Sequence, residues 1–202
     1  MPRIARIVIP HAPHHIVQRG NRRQDVFFEE ADYRTYLSLI KEQCELSGTD
    51  ILSYCLMTNH VHLIAVPKTP DGLRPLGEAH RRYTRYINFK NDWRGYLWQG
   101  RFASYPMDEA YLYEAVRYVE LNPVRAGLVS HPAQYRWSSA RQRIRQASDG
   151  DYKVKPLPPM VDDWETYWTE GIARYEAARE FEANEFSQRP LGKISVPTKG
   201  TQ

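Results

Sequence analysis

Two histidines one residue apart, His60 and His62, lie in the stretch Asn59-His-Val-His-Leu-Ile-Ala-Val66. The apolar run after them reads as a β-strand, and positions i and i+2 of a strand face the same way, about 6.5–7 Å apart. Two neutral imidazoles at that spacing can share one divalent cation; they can equally be two polar residues at a strand's wet end. The second group is Tyr118 and Asn122. Four apart on a helix, they stand one turn above each other, so a phenol and an amide oxygen project together. A phenol is a candidate nucleophile, although most of the fourteen tyrosines must be packing residues. His11, His14 and His15 precede or begin a strand and read as structural, with contact to metal or nucleic acid as the alternative.

The elements that must position these groups can be traced along the chain. His14 to Gln18 reads as a first strand, followed by the turn-like Arg19-Gly-Asn-Arg-Arg23. Glu29 to Leu46 has Tyr33, Tyr36, Leu37, Ile40 and Cys44 at helical spacing, and Ser47-Gly48 ends it. Asp50 to Met57 and His60 to Val66 form a hairpin turned by Thr58-Asn59. A second helix spans Leu73 to Lys90 with Leu76, Ala79, Tyr83 and Ile87 as its stripe, and Phe102 to Met107 is a fourth strand. Asp108 caps a third helix with Leu112, Ala115, Val116 and Val119 inward, which Asn122-Pro123 should end near Leu121. If it ends early, Asn122 serves as a cap instead.

The order β-α-β-β-α-β predicts an α+β fold of ferredoxin-like (RRM-like) plan: an antiparallel sheet with helices on one face, an added helix and a C-terminal helical extension. An open sheet face with a basic rim suits nucleic acid. Residues 146–160 contain Pro156, Pro158 and Pro159 and read as a linker. Residues 161–186 read as an acidic amphipathic helix with Trp164, Trp168, Ile172 and Tyr175 in its stripe, and 187–202 as a flexible tail.

The net charge of +4 is unevenly spread. Residues 1–160 hold 23 Lys and Arg against 16 Asp and Glu, whereas residues 161–202 hold 5 against 8. The cationic part is mostly arginine, which forks onto phosphates and stacks on bases. Three basic aromatic segments stand out: Arg81, Arg82 and Arg85 with Tyr86; Arg94 and Arg101 with Trp93 and Trp98; and Tyr135, Arg136, Trp137, Arg141, Arg143 and Arg145. Arginines that hold phosphates, with rings that stack on unpaired bases, suit single-stranded nucleic acid. Cys44 and Cys55 read as buried reduced thiols, which fits a cytoplasmic, nucleoid-associated protein. No run has transmembrane length, so a membrane is not an expected partner, and no Gly-rich phosphate loop points to ATP.

With these residues in place the chain resembles the HUH single-tyrosine transposases, in particular the REP-associated tyrosine transposases. The likeness rests on His60-Val-His62 and on Arg117-Tyr-Val-Glu-Leu-Asn-Pro-Val-Arg-Ala-Gly127, with Gln18-Arg-Gly-Asn-Arg22 and Tyr96-Leu-Trp-Gln-Gly-Arg101 in the same order, and it covers roughly residues 5 to 140. It implies a catalytic domain over residues 1–145. His60, His62 and Asn122 would ligate Mg²⁺ or Mn²⁺, and Tyr118 would be the nucleophile. The implied activity is cleavage and rejoining of single-stranded DNA at hairpin-forming repetitive palindromes, through a covalent 5′-phosphotyrosine and without ATP. Arg19, Arg22, Arg23, Arg81, Arg82, Arg85, Arg94, Arg101, Arg125 and Arg136 are the expected DNA contacts. A monomer is expected, with a dimer as the alternative.

Two rival readings remain open. One is a module of the same fold that binds DNA or RNA hairpins without cleaving them; retention of both histidines and Tyr118 argues against it. The other is a metallohydrolase with water as nucleophile, for which the sequence offers no obvious carboxylate base beside the histidines.

Overall fold

The hairpin that carries the two histidines forms as expected, from β2 (Asp50–Leu56) and β3 (His60–Val66). The computed structural model describes residues 6–144, 152–157 and 161–173. Around the hairpin lie β1 (His14–Arg19), α1 (Glu30–Ser47), α2 (Arg74–Lys90), β4 (Ala103–Pro106), α3 (Glu109–Arg125), a short α4 (Arg141–Ile144) and α5 (Trp164–Ala173). Arg145 of the third basic segment, residues 146–151 and 158–160 of the expected linker, the expected acidic helix beyond Ala173, and the tail fall outside the described residues.

The four strands form one antiparallel sheet in the order β2-β3-β1-β4, the ferredoxin-like arrangement. Strand alternation sorts the side chains onto two faces. Ile16, Ile51, Tyr54, Leu56, Val61 and Leu63 meet the apolar stripes of α1 and α2, including Tyr36, Leu37, Ile40, Leu76, Ala79, Tyr83 and Ile87. Val17, Cys55, Ile64 and Tyr105 turn the other way and are covered by Leu112, Ala115, Val116 and Val119 of α3 and by Tyr167 and Trp168 of α5. The second face is therefore closed, not open as the strand pattern suggested: α3 is amphipathic and must bury its stripe, and the sheet offers a matching apolar surface.

α1 starts at Glu29, whose N–H donates to Asp32 (3.1 Å), and ends at Gly48 in the left-handed conformation (φ 66°). Burial alone would raise the Asp32 carboxyl. The Lys90 ammonium at 2.6 Å, the N–H groups of Phe28 and Glu29, and the Tyr86 hydroxyl together hold it below the usual carboxylate range. This knot ties the start of α1 to the end of α2.

The expected end of α3 at Asn122-Pro123 is corrected by the structure: the helix runs through Pro123 to Arg125. Proline removes one helical hydrogen bond and costs about 3 kcal/mol in a helix interior. Tertiary packing offsets that cost here, because Leu121 and Pro123 are buried and the preceding Glu120 is bolted in place. The helix ends instead at Ala126-Gly127, where the Ala126 N–H reaches the Asn122 carbonyl and Gly127 takes φ 68°.

Glu120 is fully buried and is the hub of this side. Its carboxylate accepts hydrogen bonds from Ser53 on β2 (3.1 Å), Ser139 (3.0 Å), the Arg143 guanidinium (3.0 Å) and the Trp168 indole (3.1 Å). The outer edge of β2 is covered as well. Leu56 N–H donates to Trp137 O and Lys155 N–H to Ile51 O, both at 2.8 Å, so residues 152–157 lie along that edge with Val154 buried. Cys44 and Cys55 are buried free thiols. Among the described residues no helix is long and apolar enough to cross a membrane.

Candidate active site

β3 sends His60 and His62 to the face that α3 covers. His62 is opposite Val17 on β1 and Cys55 on β2 and is 1% exposed, whereas His60 lies at the strand's half-buried start. Their ring centroids are 4.9 Å apart. The Tyr118 ring stands edge-on to His62, with centroids 5.6 Å apart. Because α3 does not stop at Leu121, Asn122 follows one turn on, and its amide hydrogen-bonds the His60 side chain. One turn of helix thus brings the phenol and the amide to the two imidazoles. The Arg125 guanidinium lies 4.9 Å from the Tyr118 ring centroid, which extends the cluster by one more residue of the same helix.

One member of the cluster was not expected. His15, read as structural, lies beside His62 with its Nε2 3.0 Å from His62 Nδ1. The two rings lie edge to edge and nearly coplanar, with centroids 5.2 Å apart, and the His15 and Tyr118 rings meet at a steep angle with centroids 5.9 Å apart. The pairing of Val17 with His62 and of His15 with Ile64 makes the two histidines diagonal neighbours on one face. The sequence places His15 on the correct strand but does not fix the β1–β3 register, and the register creates the contact.

The site keeps its histidines neutral. Burial, and then the Arg19 charge, lower His60 to about 4, against the opposing hydrogen bond from Asn122. His62 is held well below its ordinary value by burial, then by His60, His15, Arg19 and Arg125. Burial alone lowers His15 to about 3. Each ring therefore retains a lone pair at neutral pH, as a metal ligand requires. Among the described residues no three His, Cys, Asp or Glu side chains are gathered as a metal cage. The donors on hand are two imidazoles and one amide, a nitrogen-and-oxygen set able to hold one divalent cation and leave positions for phosphate oxygens and water.

The expected DNA-contacting arginines separate into groups. Arg19, Arg22, Arg23 and Arg101 line a groove of about 580 Å³ whose wall includes Tyr105, and the Tyr105 ring is 6.1 Å from His15. The turn that carries three of them is unusual: Arg22 and Arg23 take φ of 52° and 60°, a conformation that costs about 1–3 kcal/mol per non-glycine residue. A Cβ on Gly20 would meet the Gln24 carbonyl at 2.2 Å, so only glycine fits there. Arg81, Arg85 and Arg101 line a second groove of about 870 Å³ with Tyr96 and Trp98. Arg94 is exposed on the loop between α2 and β4.

Two others are not with these groups. Arg82 pairs with Glu42 of α1 at 2.5 Å, and Arg136 pairs with Glu30 at 2.5 Å while covering the Trp137 ring. The third basic aromatic segment is mainly architectural. Trp137 stacks on Tyr33 at 4.4 Å, the Tyr135 hydroxyl donates to Leu56 O, and Arg143 holds Glu120.

Comparison with known proteins places these features in context. Residues 10–122 match the family model described as IS200-like transposase. Among solved structures, the chain is similar to one described as the REP-associated tyrosine transposase bound to a REP hairpin, with 20% identity, a TM-score of 0.60, and coverage of 81% of this chain and 96% of that one. A second similar structure, described as a transposase from Deinococcus radiodurans R1, has 20% identity and a TM-score of 0.40 over 59% of this chain and 96% of its own. No curated protein matches the chain.

Proposed function

The chain belongs to the IS200-like transposase family, and from that membership we propose that it cleaves and rejoins single-stranded DNA at hairpin-forming repetitive palindromes, with Tyr118 as nucleophile. The observation that carries this reading is the position of Tyr118, edge-on to His62 and one helical turn from Asn122, with Arg125 against its ring. A phenol with its ordinary value near 10 is only about 0.1% phenolate at neutral pH, so attack needs an activated phosphate and a nearby positive charge. Tyr118 Oη forms a bond to phosphorus while the bond to the 3′ oxygen breaks. The phenolic proton goes to solvent, the leaving 3′ oxygen takes one up, and the 5′ phosphate stays on the tyrosine. Another 3′-hydroxyl reverses the step with no input of ATP.

His60, His62 and Asn122 are the residues that would hold Mg²⁺ or Mn²⁺, which when bound neutralises charge on the scissile phosphate. The arginine-lined groove beside the site, containing Arg19, Arg22, Arg23 and Arg101, is suited to the phosphates of a single strand. The hairpin substrate is supported by the similar structure described as bound to a REP hairpin. A monomer is supported because both histidines, the tyrosine and the asparagine meet within one chain.

The experiment is cleavage of labelled hairpin single-stranded DNA with Mn²⁺ or Mg²⁺ by wild type and Tyr118→Phe. A denaturant-stable protein–DNA adduct from wild type alone is the expected result. Cleavage that persists without an adduct in Tyr118→Phe would replace this reading with a water-using hydrolase. Tight binding without cleavage by either protein would reduce it to a hairpin-binding module.

A further inference from the structure

We propose that His15 and Asn59 are positioning residues that place the single proton of His62 and of His60 on Nδ1, leaving Nε2 of both rings as the bare nitrogen. This rests on the reading of His60 and His62 as metal ligands, since that is what a bare Nε2 on both rings would serve.

The argument for His60 follows from the donors available. The Asn59 side chain is fixed at both ends: its Nδ2 donates to the Arg23 carbonyl (3.2 Å), and its Oδ1 lies 2.6 Å from His60 Nδ1. An amide oxygen only accepts, so the N–H of that bond must belong to His60 Nδ1. A neutral imidazole has one N–H, which makes Nε2 the lone-pair nitrogen. The turn that reverses the chain between β2 and β3 thus also sets the state of the first ring.

His62 is held by a different element. Its Nδ1 meets His15 Nε2 of β1 at 3.0 Å, and one proton is shared between them. Donation by His62 leaves its Nε2 bare, matching His60. Donation by His15 would put a proton on the nitrogen that a metal needs. The ring has little freedom to change partner: it is 1% exposed, lies nearly coplanar with His15 (12° between planes) and packs at a right angle to Tyr118. Beside the Asn122 amide at His60, each ring thus has an Nδ1 partner of its own, from a separate segment of chain. Partners of this kind fix ring orientation and the protonated nitrogen, and their loss typically weakens metal binding by about 10–100-fold.

Two readouts on the full chain test this. Long-range ¹H–¹⁵N spectra of the metal-free protein report which nitrogen of each histidine is protonated, and Mn²⁺ titration followed by electron paramagnetic resonance gives affinity. Wild type is expected to carry Nδ1–H on both His60 and His62. His15→Gln, which keeps an acceptor, should bind Mn²⁺ within about threefold of wild type. His15→Phe, which keeps only the ring, should bind about 10–100-fold more weakly, as should Asn59→Leu relative to Asn59→Asp. A proton on His62 Nε2 in wild type overturns the proposal whether or not any variant folds, as does a folded His15→Phe with wild-type Mn²⁺ affinity. If wild type has the stated protonation but binds no Mn²⁺, the metal-ligand reading fails while the positioning of the two rings stands.

Discussion

The two faces of the sheet are built to different standards. The face under α1 and α2 is a ring-rich core in which Phe27, Tyr33, Tyr36, Tyr83, Trp98 and Trp137 pack against one another, and its buried polar groups serve to tie α1 to α2, as the Tyr36 hydroxyl does with His80 at 2.9 Å and Asp32 with Lys90 at 2.6 Å. The face under α3 buries His15, His62, Glu120 and the Arg143 side chain, with His60 half-buried, in a smaller apolar surround. Buried polar groups add little net stability and are costly when a partner is lost. The contrast teaches that the first face holds the fold, while the second accepts a stability cost to gather histidines, a phenol and a buried carboxylate in one geometry.

The sharpest way to break this contrast is one substitution made on both faces. Tyr118→Phe should lower cleavage on the order of 10⁶-fold, as loss of a nucleophile does, with little change in thermal midpoint. Tyr36→Phe should do the reverse: a loss of about 1–3 kcal/mol in denaturant unfolding, with the rate per folded molecule unchanged. Equal effects of the two on either readout would dissolve the distinction.

Next in size is Glu120→Gln. It leaves the buried Arg143 guanidinium without its counter-charge and should cost about 3–5 kcal/mol in urea unfolding. Cleavage should fall as well, because Tyr118 is two residues away on the same helix. A stable variant with normal cleavage would mean that Glu120 does not hold α3.

Acid should strain both faces together. His14 and His60 are lowered to about 4, and His15 and His80 to about 3, with burial the main cause each time. The unfolded chain takes up these protons near pH 6.5 and the folded chain only near 3–4, so stability is full above about 6.5 and falls as pH drops through that window. Each group should contribute up to about 1.4 kcal/mol per pH unit, read as a falling thermal midpoint. His80→Phe should flatten the part of the slope owed to the α1–α2 face, and an unchanged slope would remove His80 from the account.

The smallest effects concern arginines. Arg19→Ala should lower the salt dependence of single-strand binding by about one phosphate contact. Arg82→Ala, which loses only an exposed pair with Glu42, should leave the slope and affinity near wild type. A matching loss from both would return Arg82 to the DNA-binding surface.

Much of this arrangement was legible in the sequence because it depends on local periodicity. Period-two alternation places His60 and His62 on one face, period-3.6 spacing defines the stripes of α1, α2 and α3, and the order of elements gives the sheet plan. What was not legible depends on contacts distant in sequence. The His15–His62 bond requires the β1–β3 register. The passage of α3 through Pro123 requires anchors on β2 and beyond residue 130, which override a local stop signal. The closing of the second face requires knowing that α3 folds back over it. The basic aromatic run from Tyr135 to Arg145 was read as a DNA surface, and composition alone does not reveal that Arg143 within it serves the buried carboxylate of Glu120.

The Glu120 hub also sets how the polypeptide can be divided. The family match ends at residue 122, yet three of the four side chains that hold Glu120, those of Ser139, Arg143 and Trp168, come later in the chain. A fragment cut at the family boundary would keep His60, His62, Tyr118 and Asn122 and still leave the Glu120 carboxylate, in the middle of α3, with Ser53 alone of its four partners. The smallest piece that can be expressed alone, split for complementation or fused to a targeting domain therefore extends at least through Trp168.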